Sequence, residues 1–133
     1  MEHPMTGLQR LIREMRPFLH ERPFVFCTVP PGELAGMTFE PLCYFREDEG
    51  ATVIIGADEA NNTGFSYSRK WALITLQVHS PLDAVGFVAA VTSELARAGI
   101  SVNPVSAFHH DHLFVPWEKR TEAMRLLEKM GES

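Results

Sequence analysis

Between residues 71 and 130 the chain spells out an order of elements that few folds accept. WALITLQVH is a β-forming run, PLDAVGFVAAVTSELARAG a long apolar-striped helix closed by Gly99, and ISVNPVSAF and HLFVP are short β-rich runs around a polar turn. WEKRTEAMRLLEKM then reads as a second amphipathic helix, ended by Gly131. Strand, helix, strand, hairpin, strand, helix is most of a ferredoxin-like βαββαβ unit, an α+β fold with an antiparallel sheet and its helices on one face.

The start of the first helix carries the sharpest local signal. Ser80 is read as its N-cap, Pro81 at the first helical position loses no hydrogen bond, and Asp83, three past the cap, suits the positive end of the helix dipole. Leu82, Val85, Val88, Ala89, Val91, Thr92 and Leu95 mostly recur at three- and four-residue steps and are assigned to the face against the sheet. Gly86 is out of place there. It costs about 1 kcal/mol against alanine in a helix, so it points to close packing or to a ligand approaching the backbone.

Upstream, Leu8, Leu11, Ile12 and Met15 make a short amphipathic helix stopped by Pro17, with Phe18 and Leu19 as its tail or a connection. Phe24 to Val29 is a strand bounded by prolines, residues 38 to 45 form an edge strand broken by Pro41, and Glu47 to Gly50 turn the chain back into the strand Ala51 to Ile55. Ala57 to Phe65 is a short surface helix. Phe45-Arg46-Glu47-Asp48 and Phe108-His109-His110-Asp111 stand at equivalent turns, so the chain reads as a connection over 1–22, a shortened half over 23–70 and a second half over 71–133. No strand follows the last helix, and Phe24 to Val29 is assigned to that empty edge, which interlocks the two halves.

Bulk properties remove several classes of function. A net charge of −5 gives no attraction to nucleic acid or to an anionic membrane. There is no apolar run of about 18 residues and no signal-like N-terminus, so the expected location is cytoplasmic. Cys27 and Cys43 lack CxxC spacing and read as buried thiols. No GxSxG, P-loop, GxGxxG or HExxH pattern occurs, so neither a catalytic residue nor a cofactor is expected.

The runs FREDEGATVII, ITLQVHSPLDAVGFVAAVTSELARAGISVNPVSAFHHDHLFVP and the helix after them resemble the small ACT-domain proteins of unknown function, related to the regulatory part of aspartate kinase and to cytosolic arginine sensors. The likeness covers roughly residues 8–130; Ala51 and Phe87 stand where leucine is expected. It implies a regulatory module that binds a small molecule, most often an amino acid, at an interface between two such modules, and so a homodimer. The loop after the first strand and the start of the second strand would form the site: His79, Ser80, Pro81, Leu82, Asp83, Ala84 and Gly86, with Asn103.

The chemistry of these residues admits plainer readings. A helix N-terminus suits an α-carboxylate, but capping alone accounts for Ser80 and Asp83, and Asp83 would oppose an anion bound too close. Asn103 can accept from an α-ammonium group or pair with its own backbone before Pro104. Glu47, Asp48 and Glu49 form a solvated hairpin turn or, if they face the 79–86 loop, select a cationic side chain such as arginine or lysine.

The run His109-His110-Asp111-His112 raises a metal reading, since His110 and His112 share a face of an extended segment, but no other His or Cys has the spacing to complete a site. The resemblance makes it a structural hairpin. The expected function is ligand-linked conformational or oligomeric change, read by a separate chain; the alternative is a metal-dependent protein or small enzyme using His109 to His112.

Overall fold

The structure, a computed structural model, describes residues 6–132. In chain order its elements are α1 (Gly7–Glu14), β1 (Pro17–Leu19), β2 (Phe24–Val29), a 3₁₀ turn (Pro31–Gly36), β3 (Cys43–Arg46), β4 (Ala51–Gly56), α2 (Ala57–Thr63), β5 (Trp71–Leu76), α3 (Phe87–Arg97), β6 (Asn103–Ser106), β7 (Asp111–Pro116), a second 3₁₀ turn (Trp117–Lys119) and α4 (Arg120–Glu132). They pack as two compact units. One is Arg22–Trp71; the other joins the segment ending at Glu21 to everything from Ala72 onward.

In the larger unit the strands lie in the order β1-β5-β7-β6. β1 runs antiparallel to β5 with Phe18 opposite Thr75, and β6 runs antiparallel to β7 with Asn103 opposite Phe114. This is the sheet order of a ferredoxin-like βαββαβ unit whose last strand is supplied by the N-terminal segment. The strand expected at that edge, Phe24 to Val29, meets β5 through the single pair Phe24 and Trp71. Residues 17–19, read as a helix tail or connection, are the strand instead. Three residues are too few to show a period of two, yet Leu19 packs on the core while Phe18 stays exposed.

Alternate residues of β5 (Ala72, Ile74, Leu76) and β7 (Leu113, Val115) face Phe87, Val91 and Leu95 of α3 and Ala123 and Leu127 of α4. Burying each Phe or Leu of this layer contributes about 1.5–3 kcal/mol before entropy is counted. α1 is started by a reciprocal cap, in which Thr6 Oγ1 accepts from Gln9 N–H at 3.1 Å and Gln9 Oε1 accepts from Thr6 N–H at 2.9 Å. Met15, just past α1, is buried in the same core.

Two expectations about helix ends are corrected. α3 begins at Phe87, not at Ser80: its buried face is Phe87, Val91 and Leu95 at four-residue steps, and Gly86 precedes it at φ 91°, in the left-handed region that breaks a helix. α4 runs through Gly131 to Glu132. A Cβ at residue 131 would sit 3.6 Å from the backbone oxygen of Ile12, an ordinary contact, so this glycine neither stops the helix nor is demanded by the packing of α1.

The smaller unit pairs β2 with β4 and β4 with β3, all antiparallel. Val25, Cys27, Val53 and Ile55 bury one sheet face against Ala57 and Ala60 of α2, the rest of which is largely exposed. The 3₁₀ turn Pro31–Gly36 stands where the larger unit has its first helix. At the start of α2, Glu59 Oε1 accepts from Gly56 N–H at 2.9 Å and from Arg22 Nη2 at 2.8 Å. The register puts Cys27 opposite Val53 and Cys43 opposite Ile54, hence on opposite faces; both thiols are free, and burial pushes that of Cys27 up.

Candidate functional site

β5 ends at Leu76, and residues 77–86 cross to α3 as a loop rather than as the first turns of a helix. Within it Pro81 O accepts from Ala84 N–H at 3.0 Å, an isolated turn with Leu82 and Asp83 at its corner. Leu82 is 66 % exposed and Val85 89 %, against the expectation that both face the sheet. Ser80 is 6 % exposed and caps nothing: its side chain makes no hydrogen bond among the described residues. The displaced helix start has no side-chain cap, so the N–H groups of Phe87 and Val88 make up the positive end assigned from sequence to Ser80 and Asp83.

Gly86 has a sufficient conformational reason. Its φ of 91° disfavours any side chain, and the nearest atom to a Cβ placed there is Leu8 Cδ2, 3.6 Å away on α1. His79 is exposed and its ring lies 6.3 Å from that of His109, which brings the loop beside the β6–β7 turn. Asn103 opens β6, the strand at one end of this unit's order, and is exposed with no side-chain partner among the described residues. Glu47, Asp48 and Glu49 belong to the other unit. There Glu47 and Gly50 exchange backbone hydrogen bonds at 3.2 and 3.3 Å, and the Glu47 carboxylate accepts from the Thr52 hydroxyl.

The histidine run is divided by the strand alternation. His110 and His112 rings lie 6.4 Å apart, while Asp111 is buried at the start of β7 on the face shared with Leu113 and Val115. His112 Nδ1 is 2.9 Å from Thr75 Oγ1, which is in turn 2.8 Å from His20 Nε2. Burial lowers the pKa of His20 and His112; the neighbouring His110 and His20 lower that of His112 further, and Asp111 opposes them. Among the described residues no group of three or more His, Cys, Asp or Glu is placed to hold a metal.

Asp111 is the residue sequence reasoning passed over. Its sequence context suggests only a member of the histidine run, yet its Oδ2 is buried with no hydrogen-bond partner among the described residues, which is costly for a carboxylate oxygen. The signal was present in the pattern: position 111 shares the inward phase of Leu113 and Val115.

An ACT domain family profile matches residues 4–72 and another matches residues 67–129. Among solved structures, a protein of unknown function from Vibrio cholerae, described as a possible transport protein, is 42% identical with TM-score 0.82, covering 90% of this chain and 92% of that one. A protein from Agrobacterium tumefaciens is 22% identical with TM-score 0.69 over 86% and 87% of the two chains. The ligand-free regulatory subunit of aspartate kinase from Thermus thermophilus, 11% identical, shares the fold with TM-score 0.60 over 86% and 95%. No curated protein matches the chain. Among the described residues no helix is long and apolar enough to cross a membrane. With one profile spanning more than half of its residues and a second covering most of the remainder, the chain belongs to the ACT domain family.

Proposed function

We propose that this protein is a non-catalytic, cytoplasmic regulatory module that binds an amino acid at the start of α3 and signals by a ligand-linked change in conformation or pairing. The observation that carries this reading is an uncapped helix start beside an exposed apolar loop, in a chain of the ACT family. The free N–H groups of Phe87 and Val88 suit an α-carboxylate, and the orphaned Asp111 Oδ2 suits an α-ammonium group. His79 to Gly86 form the rim, with Asn103 as a further polar contact. Leu82 and Val85 gain burial when a second copy covers the loop, which favours a homodimer with the ligand between copies. The acidic turn Glu47 to Glu49 would select a cationic side chain if the partner copy brings it to the rim. The chain that reads the change is a separate protein.

A melting series with each of the twenty amino acids, with and without a chelator, tests this. A ligand at 100 times its dissociation constant adds about 2.7 kcal/mol, worth several degrees in a chain of this size. The expected result is a shift with one or a few chemically related amino acids, abolished in Asp111→Ala. No shift with any of the twenty, together with a melting point lowered by chelator, would replace this reading with a metal-dependent one.

A further inference from the structure

On the face of the larger unit turned away from its core, β1 and β5 place a second group of side chains that no part of the α3 site uses. Arg16, Phe18, His20, Thr75, Gln77 and His110 line an open pocket of about 540 Å³, within the size range of small-molecule sites. None of the six is acidic. The Arg16 guanidinium has no ion-pair partner among the described residues. Phe18 and His20 pack edge to face with centroids 5.0 Å apart and give the pocket an aromatic wall.

Two features fix the geometry of its lining. Thr75 Oγ1 bridges His20 Nε2 and His112 Nδ1 at 2.8 and 2.9 Å. One hydroxyl carries one proton, so with both rings neutral one imidazole donates to it and the other accepts, which holds the two rings in register. The second feature is the backbone of Arg16. At φ 41° it is the one non-glycine residue in the left-handed region among those described, where glycine or asparagine is at ease and arginine is not. The strain is held by Met15 O, which accepts from Gln77 N–H at 2.6 Å and fixes the corner from which Arg16 joins the pocket lining.

We propose that this pocket binds a small organic oxyanion, a carboxylate or phosphate held by Arg16 with Gln77, His20 and His110, its apolar body lying on Phe18. Arginine offers the planar fork that matches either head group, and further donors come from Gln77 just past β5, from His20 just past β1 and from His110 in the β6–β7 turn. This site is independent of the α3 start and stands or falls without it.

The test titrates the full chain with phenyl phosphate, phenylacetate and the uncharged control benzyl alcohol, reading the ring ¹H–¹⁵N correlations of His20 and His110. At least one anion is expected to shift both rings saturably, the tighter of the two identifying the head group, and benzyl alcohol to leave them unmoved. Arg16→Asn, which tolerates the positive φ, should weaken binding about ten-fold or more, and Gln77→Leu by a smaller factor. Absence of saturable shifts with both anions, wild-type affinity in Arg16→Asn, or equal binding of benzyl alcohol would overturn the proposal.

Discussion

Replacing Gly86 by alanine separates the two roles that a glycine at the head of α3 can have. The residue sits at φ 91°, where a Cβ costs about 1–2 kcal/mol. Sterics add little, because the added atom would meet Leu8 Cδ2 at 3.6 Å, an ordinary contact. Against this, alanine lowers the entropy of the unfolded chain, worth about 0.4–1 kcal/mol in its favour. The balance is a loss of about 1 kcal/mol, read in urea unfolding as a lower midpoint at unchanged slope. Gly86→Asn keeps a residue that accepts the left-handed region and should lose less. If asparagine were as damaging as alanine, crowding under Leu8 and not backbone conformation would be the cause. If alanine cost nothing and raised the helical circular dichroism, residues 81–86 would be joining α3, and the account of Gly86 as an enforced break would be wrong.

Asp111→Ala removes a buried carboxylate oxygen that has no partner, so the ligand-free protein should gain about 1 kcal/mol in chemical unfolding; a loss instead would mean that the oxygen is satisfied in the folded protein. The pH dependence follows from His20 and His112, whose folded pKa values lie below their ordinary 6.5. The unfolded chain then binds protons more readily, so this contribution to stability is complete above about pH 6.5–7 and is lost as the pH falls toward the folded values. Melting points between pH 7.5 and 5.5 should decline, and His112→Gln should flatten the decline; an unchanged slope in that variant would refute the assignment.

Long periodic segments were legible from the residues alone, and junctions were not. The apolar runs of β5, β7, α3 and α4 declare themselves because each buries several residues in one phase. The α3 start failed for a specific reason: Ser80-Pro81 with Asp83 satisfies every local rule for a helix N-terminus, yet Gly86 follows five residues on, in a backbone region closed to the helix. Leu82 and Val85 fitted the apolar stripe by spacing, but spacing cannot say whether anything lies opposite them. Gly131 misled in the converse way: it looks in sequence like a stop signal, yet its backbone stays out of the left-handed region and the helix runs through it. The candidate stretch 79–86 follows β5 as expected, but as a loop and not as the first turns of a helix. Its positive end moved from Ser80 to Phe87, and Asp111 emerged only when the alternation of β7 placed it inward.

The N-terminal segment ties fold and sites together. Met15 is buried, Leu19 packs on the same core, and His20 N–H donates to Leu73 O at 2.9 Å, so residues 7–20 complete the larger unit rather than precede it. The same segment places Leu8 over Gly86 at the α3 start and supplies Arg16, Phe18 and His20 to the pocket lined on the other side by Thr75 and Gln77. A sheet closed by its own C-terminal strand would need no residue from the N-terminus. Here the exchanged strand brings an arginine, a phenylalanine and a histidine onto the outer face of β5, where the second half alone would present threonine and glutamine to water. The pocket is thus a product of the strand exchange, and any chain of this fold with its last strand in sequence order would have to build that face from different residues.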